Sequence, residues 1–265
     1  MTRLYHHPDE YDLEHLGDDD DINFYLRLVK RLGPKRILEL GCGTGRIALP
    51  LAEQGIVCGY QVVGLENQPA MLGGAIERRR SASPEVQKRL TFVEEDMQCW
   101  QADERFDLIL VPCSSITHLH ELAEQIRTWR QARANLCMGG RFVVEVTMPN
   151  LAVFADSFSR PPRALVEIDI DSFDEAEGIR LLRRKTTRYL SNQQRAQIRY
   201  LYEKYRDDRL VDSYIDDFES HVFFPRELEL LFIHTGFKLE STVGDYQGRP
   251  LSVHSRLMIM TGQRD

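Results

Sequence analysis

The chain has no apolar run near the roughly 20 residues that cross a bilayer, so a helical membrane span is excluded from the expectation. Met1 to Asp21 is polar and acidic and carries no signal-peptide pattern. Cysteine is scarce: five residues, Cys42, Cys58, Cys99, Cys113 and Cys137, odd in number and never spaced C-x-x-C. That argues against a disulfide framework or a structural zinc site, and predicts reduced, mostly buried thiols in a cytoplasmic protein. Positive charge is in deficit: 34 Lys and Arg against 41 Asp and Glu give a net charge of -7, so non-specific attraction to nucleic acid is disfavoured. Repeats and low-complexity tracts are missing, and the one charge run, Asp18 to Asp21, reads as a solvated helix start complementing the helix dipole. No metal site is expected.

What is present is a soluble composition, 42% hydrophobic over 265 residues, enough for one large α/β domain with a modest insertion. Residues 36–40 form a short apolar run that stops at Gly41, as in a strand buried on both faces. Gly41-Cys42-Gly43-Thr44-Gly45 follows, and a helix begins near Ile47. Further strands are predicted at 61–65, 90–93, 106–111 and 141–146. Helices are predicted at 69–80 and 121–137, the latter capped by Gly139-Gly140. Strands alternating with helices imply right-handed crossovers and a doubly wound, mostly parallel seven-stranded sheet. After residue 160 the period changes to two: 164–170, 179–190, 196–206 and 211–224 alternate apolar with polar, as half-exposed antiparallel strands do. The expected division is an α/β domain of 1–160 and 225–265 with an antiparallel β insertion at 161–224. A helix from Pro225 to Thr235 and strands near 237–243 and 253–261 complete the sheet.

The pattern Glu39-x-Gly41-x-Gly43-x-Gly45 lets backbone approach a ligand without Cβ clashes. Glu66, at the end of the next strand, can accept hydrogen bonds from two ribose hydroxyls. A phosphate-binding P-loop is absent, and the third glycine stands one position early for a dinucleotide fingerprint, with Arg46 after it. A nucleoside cofactor without phosphates fits better.

On these residues the chain resembles class I S-adenosylmethionine-dependent methyltransferases over about 36–150. The resemblance implies S-adenosylmethionine as cofactor. Glu39 and the loop Gly41, Cys42, Gly43 and Gly45 would face its methionine part, and Glu66 would hold the ribose. Asn67 and Met71 would flank the adenosine, with Asp96 and Met97 at the adenine. Tyr25 and Pro112 complete the implied set. Pro112-Cys113-Ser114-Ser115-Ile116-Thr117-His118-Leu119 is similar to a Ser-Ser-Ile-x-His-Leu stretch of N,N-dimethyltransferases acting on nucleotide-linked amino sugars, and Tyr11-Asp12-Leu13 to their leading Tyr-Asp-Leu. That likeness implies Tyr11 and His118 beside the acceptor amine, an N-terminal lid through Tyr25, and the insertion over the acceptor. Ser115, Arg199, Tyr200 and Tyr214 are the candidate substrate residues, with Arg160, Arg163 and Arg226 further candidates for a diphosphate. The expectation is an enzyme methylating a small-molecule amine, with no nucleic-acid or membrane partner and a homodimer allowed. An O-methyltransferase, a non-catalytic cofactor binder and a nicotinamide-dependent enzyme stay open as alternatives.

Overall fold

A computed structural model describes residues 4–159, 161 and 166–265. In chain order the elements are α1 (Pro8–Glu14), α2 (Asp20–Leu32), β1 (Arg36–Leu40), α3 (Ala48–Cys58), β2 (Gln61–Glu66), α4 (Pro69–Ser81), α5 (Pro84–Gln87), β3 (Leu90–Glu94), β4 (Phe106–Val111), α6 (Leu122–Asn135), β5 (Leu136–Thr147), α7 (Leu151–Ser157), β6 (Glu167–Asp174), β7 (Ile179–Leu190), β8 (Arg195–Arg206), β9 (Arg209–His221), α8 (Pro225–His234), β10 (Phe237–Val243) and β11 (Leu257–Arg264). Two compact units result: Asp19–Met148 with Phe223–Asp265, and the described residues of Met1–Asp18 with Pro149–Val222.

The larger unit holds a seven-stranded sheet in the order β10-β11-β5-β4-β1-β2-β3, parallel except at β11. The expected doubly wound sheet is therefore present. Successive strand residues point to opposite faces, and both faces are apolar. Leu38, Leu40, Ile109, Val111 and Val144 pack with Trp129 of α6 and Phe232 of α8. Ile37, Leu108, Leu110 and Val143 pack on the other face with Leu28 of α2 and Leu51 of α3. Helices lie between β1 and β2, between β2 and β3, and between β4 and β5, while residues 95–105 join β3 to β4 without one; the carboxyl ends of β1, β2, β3 and β4 carry the loops.

One boundary differs from the sequence reading. Gly139-Gly140 does not cap a helix; it lies inside β5, which starts at Leu136. Leu136 pairs with Phe106 of β4, and the register then shifts before Leu108 pairs with Arg141. Gly139 adopts φ +74, and a Cβ on Gly140 would lie 2.9 Å from the Cys137 carbonyl. The pair is thus a bulge: tertiary pairing of Leu136 overrides the helical spacing. The thiols also depart from expectation. All five are free, but Cys58 and Cys99 are exposed and only Cys42 is fully buried.

The smaller unit is a four-stranded antiparallel sheet, β6-β7-β8-β9, with α1 against one face. Leu181, Tyr200 and Tyr202 form its small core with Tyr5, Leu13, Ile198, Tyr214 and Phe218 packed around them. A buried charge network joins α1 to that face. Arg183 pairs with Glu14 and, at 2.6 Å, with Asp169, which also takes Lys185 at 2.6 Å. The Tyr202 hydroxyl donates to Glu14 at 2.6 Å and the Tyr214 hydroxyl to Glu10 at 2.5 Å. Burial opposes ionisation of Asp169, but Arg183 and Lys185 outweigh it and hold the carboxyl below its usual range.

Candidate active site

The glycine loop leaves β1 through three residues in the left-handed region, Gly41 at φ +67, Gly43 at +56 and Gly45 at +75. At Gly41 and Gly45 the space is also closed to a side chain. A Cβ on Gly41 would stand 2.9 Å from Ser115 Cβ, and one on Gly45 2.7 Å from the Phe92 ring. The loop then opens directly into α3.

Glu66, at the end of β2, draws the loop inward. Its carboxylate accepts the Gly43 N–H at 2.8 Å, the Asn67 N–H at 2.9 Å and the Gln68 N–H at 2.8 Å. Burial raises its pKa, and these three donors counter the rise. The glycine loop and the acidic strand end thus form one hydrogen-bonded unit. Asn67 is exposed beside it, and Met71 of α4 is buried. Asp96 closes the turn after β3 by accepting the Gln98 N–H at 2.8 Å. Met97 reaches toward Gly41, its Cε 3.4 Å from where a Cβ would be.

Glu39 is the second acid. It is 3% exposed, takes the Ala48 N–H at the start of α3, and has one oxygen, Oε2, with no hydrogen-bond partner. Burial pushes its pKa up to about 8; Arg46 opposes the rise, and Asp21 and Glu66 add to it. A carboxyl of this kind is completed by a cation or a donor from outside the chain.

The third part is the turn after β4. Pro112 is buried and its carbonyl accepts the Ser115 N–H at 3.1 Å. Cys113 and Ser114 follow at φ 51 and 58, consecutive non-glycine residues in the left-handed region. Ser115 then lies against the glycine loop, its hydroxyl donating to the Gly41 carbonyl at 3.4 Å. His118 ends the short 3-10 helix 115–118 that the turn opens, and presents surface to solvent. Crowding of the ring by protein, first, and His120, second, push the imidazole down to about 4, so it is uncharged near neutral pH.

Several residues here were not anticipated. Asp21 is not part of a solvated helix start: it is 5% exposed and forms an ion pair with Arg46, Arg46 Nη1 lying 3.0 Å from Asp21 Oδ1. Glu145, inside β5, accepts the hydroxyls of Tyr25 and Tyr246, each at 2.7 Å. An acid within Phe142-Val143-Val144-Glu145-Val146, a strand apolar on both sides, was the available signal. Tyr25 itself is fully buried in the core, with its hydroxyl committed to Glu145.

The remaining candidates lie in the smaller unit. Tyr11 is in α1, its ring centroid 4.6 Å from that of His15. Tyr200 is 9% exposed and carries the Arg183 guanidinium over its ring at 4.1 Å. Tyr214 stacks on Tyr202 at 4.5 Å. Arg199 is exposed and doubly bonded to Asp217 at 2.7 Å. Arg226, in the larger unit, pairs with Glu229 at 2.7 Å, and Arg160 and Arg163 lie outside the described residues.

Comparison with known proteins agrees with this geometry. Residues 37–140 match the family model described as a methyltransferase domain. A putative methyltransferase of Bacillus subtilis, YqeM, is 24% identical over 230 residues, which is 86% of this chain and 84% of that protein. Two solved structures superpose over nearly the whole chain. CalS10, described as a SAM-bound amino pentose methyltransferase from Micromonospora echinaspora involved in calicheamicin biosynthesis, gives a TM-score of 0.70 at 18% identity, covering 97% of this chain and 96% of that one. KedS8, a sugar N-methyltransferase from Streptoalloteichus, gives 0.67 at 21%, covering 96% and 92%. Residues 37–140 accordingly match a methyltransferase domain, and the chain as a whole has the fold of solved S-adenosylmethionine-dependent methyltransferases.

Proposed function

We propose that this protein transfers a methyl group from S-adenosylmethionine to the nitrogen of a small-molecule amine, with an amino sugar as the favoured acceptor class. The cofactor half rests on one observation above all, the unpartnered buried oxygen of Glu39. Around it, four buried carboxyls (Asp21, Glu39, Glu66 and Glu145) gather with the Arg46 guanidinium, which pairs with Asp21. Such a site favours a ligand with cationic groups. When bound, S-adenosylmethionine supplies an electrophilic methyl on a sulfonium and an ammonium group. Glu39 would take the ammonium, Glu66 has lone pairs left for ribose hydroxyls, and the bare loop Gly41 to Gly45 admits close approach. The neighbours described as acting on an amino pentose, or as a sugar N-methyltransferase, support the acceptor class.

His118 supports nitrogen over oxygen. A neutral imidazole held near 4 is a poor base for a hydroxyl, whereas an amine brings its own lone pair once neutral. The chain's contribution is then chiefly to align the nitrogen behind the methyl group. The test is methylation of a panel of nucleotide-linked amino sugars, simple amines and phenols, read by mass. His118→Ala is expected to lower the rate by less than about 100-fold. A loss of 10³ or more, with phenols as the better acceptors, would replace the amine reading by the hydroxyl one.

Glu39 yields a second check. Its pKa of about 8 leaves it mostly protonated at pH 7, and an ammonium beside it favours the ionised form. Cofactor binding at pH 7 should therefore release close to one proton, and progressively less as pH rises above 8. Calorimetry in buffers of differing ionisation enthalpy measures this. No proton release at pH 7 would remove Glu39 from the ammonium's contacts.

A further inference from the structure

Two consecutive left-handed non-glycine residues, each in a disfavoured backbone conformation, persist only where their surroundings over-determine them. At Cys113 and Ser114 those surroundings are explicit. The Ser114 hydroxyl accepts the Thr147 N–H at 2.9 Å, and the Thr117 hydroxyl donates to the Ser114 carbonyl at 2.8 Å. The Cys113 thiol lies 3.5 Å from both Asp21 and Arg46. The Cys113 N–H donates to the carboxylate of Glu145. Glu145 is in turn oriented from two sides, by Tyr25 of α2 and by Tyr246 after β10, and Arg27 fixes the Tyr246 carbonyl at 2.7 Å.

We propose that Glu145 is a positioning residue: its carboxylate, gripped by Tyr25 and Tyr246 and accepting the Cys113 N–H, holds the β4 turn in the conformation that seats Ser115 against Gly41. Three donors converge on this carboxylate, so a neutral amide cannot replace it. A glutamine would direct its NH2 at one of them, and the turn would lose a restraint just where its backbone needs one. The consequence passes to the cofactor loop by two routes. Ser115 presses on Gly41, and Cys113 packs beside Arg46, the residue that follows Gly45. Glu145 would touch neither cofactor nor acceptor in this arrangement.

The inference rests on the cofactor reading above, and the experiment separates the two. Binding of S-adenosylhomocysteine is measured by calorimetry for the unaltered protein, Glu145→Gln, Glu145→Gln with Cys113→Gly, and Tyr246→Phe, alongside thermal unfolding. Glu145→Gln should weaken binding about 10-fold. Glycine at 113 carries no left-handed penalty, so the double variant should recover most of that loss. Tyr246→Phe removes one grip on the carboxylate and should weaken binding about 3-fold, and it decides the matter if Glu145→Gln does not fold. Unchanged affinity in Glu145→Gln, or in Tyr246→Phe where the glutamine variant cannot be made, overturns the proposal. So does a double variant no better than Glu145→Gln, since a merely structural loss would not be rescued by glycine. Failure of the unaltered protein to bind overturns the cofactor reading, and this inference with it.

Discussion

Glu66→Ala is expected to weaken S-adenosylhomocysteine binding about 100-fold, roughly 2.8 kcal/mol. The loss has two sources. On the proposed cofactor reading, a charged acceptor for ribose hydroxyls disappears, and hydrogen bonds to charged groups contribute about 1.5–3 kcal/mol each. In addition, the N–H groups of Gly43, Asn67 and Gln68 lose their shared partner, so the glycine loop loses its tie to β2. Glu66→Gln keeps one carbonyl oxygen and should fall between the two. Calorimetry on the full chain measures the effect, and an alanine variant binding as tightly as the unaltered protein would show that the loop needs neither the tie nor the acid.

The second large effect concerns stability. Arg183 is the shared partner of Glu14 and Asp169, with its guanidinium over the Tyr200 ring. Arg183→Ala would leave two buried carboxylates without their main counter-charge, although Lys185 remains on Asp169. Removing one member of a buried ion pair costs about 3–5 kcal/mol. Thermal unfolding followed by near-ultraviolet circular dichroism of the tyrosines should show the transition fall by about 10 °C or more. A shift within 2 °C would mean that solvent reaches the network and that α1 is held to the sheet by other contacts. The substitution also bears on Tyr200 and Tyr214, which the sequence suggests as acceptor contacts. In the fold, Tyr200 lies under Arg183, and Tyr214 stacks on Tyr202 while donating to Glu10.

Much of the larger unit is legible because its signals are local. The run Arg36–Leu40 carries Ile37, Leu38 and Leu40 into the two faces of the sheet, with Glu39 as its one buried acid. Phe106–Val111 begins and ends as a strand where the residue pattern says it should. The Gly41, Gly43 and Gly45 spacing marks the left-handed turns, since no other residue adopts them at so little cost. Where a distant partner decides, local reading fails. Leu136 belongs to a helix by spacing and to a strand by its pairing with Phe106. Asp21 reads as one of four solvated acids, yet Arg46, 25 residues away, takes it into the interior.

By itself, the order of residues determined the alternating strands and helices, the bare loop after β1, the acid at the end of β2 and the change to antiparallel sheet after residue 160. All of these follow from backbone sterics and from side-chain periodicity along a few consecutive residues. Tertiary structure alone decided that Glu66 binds the loop it faces, that Glu39 keeps an oxygen unpartnered, and that Glu145 takes two tyrosines and the Cys113 N–H. Electrostatic partnership depends on which side chains meet across strands separated by scores of residues, and no local pattern in the chain records that meeting.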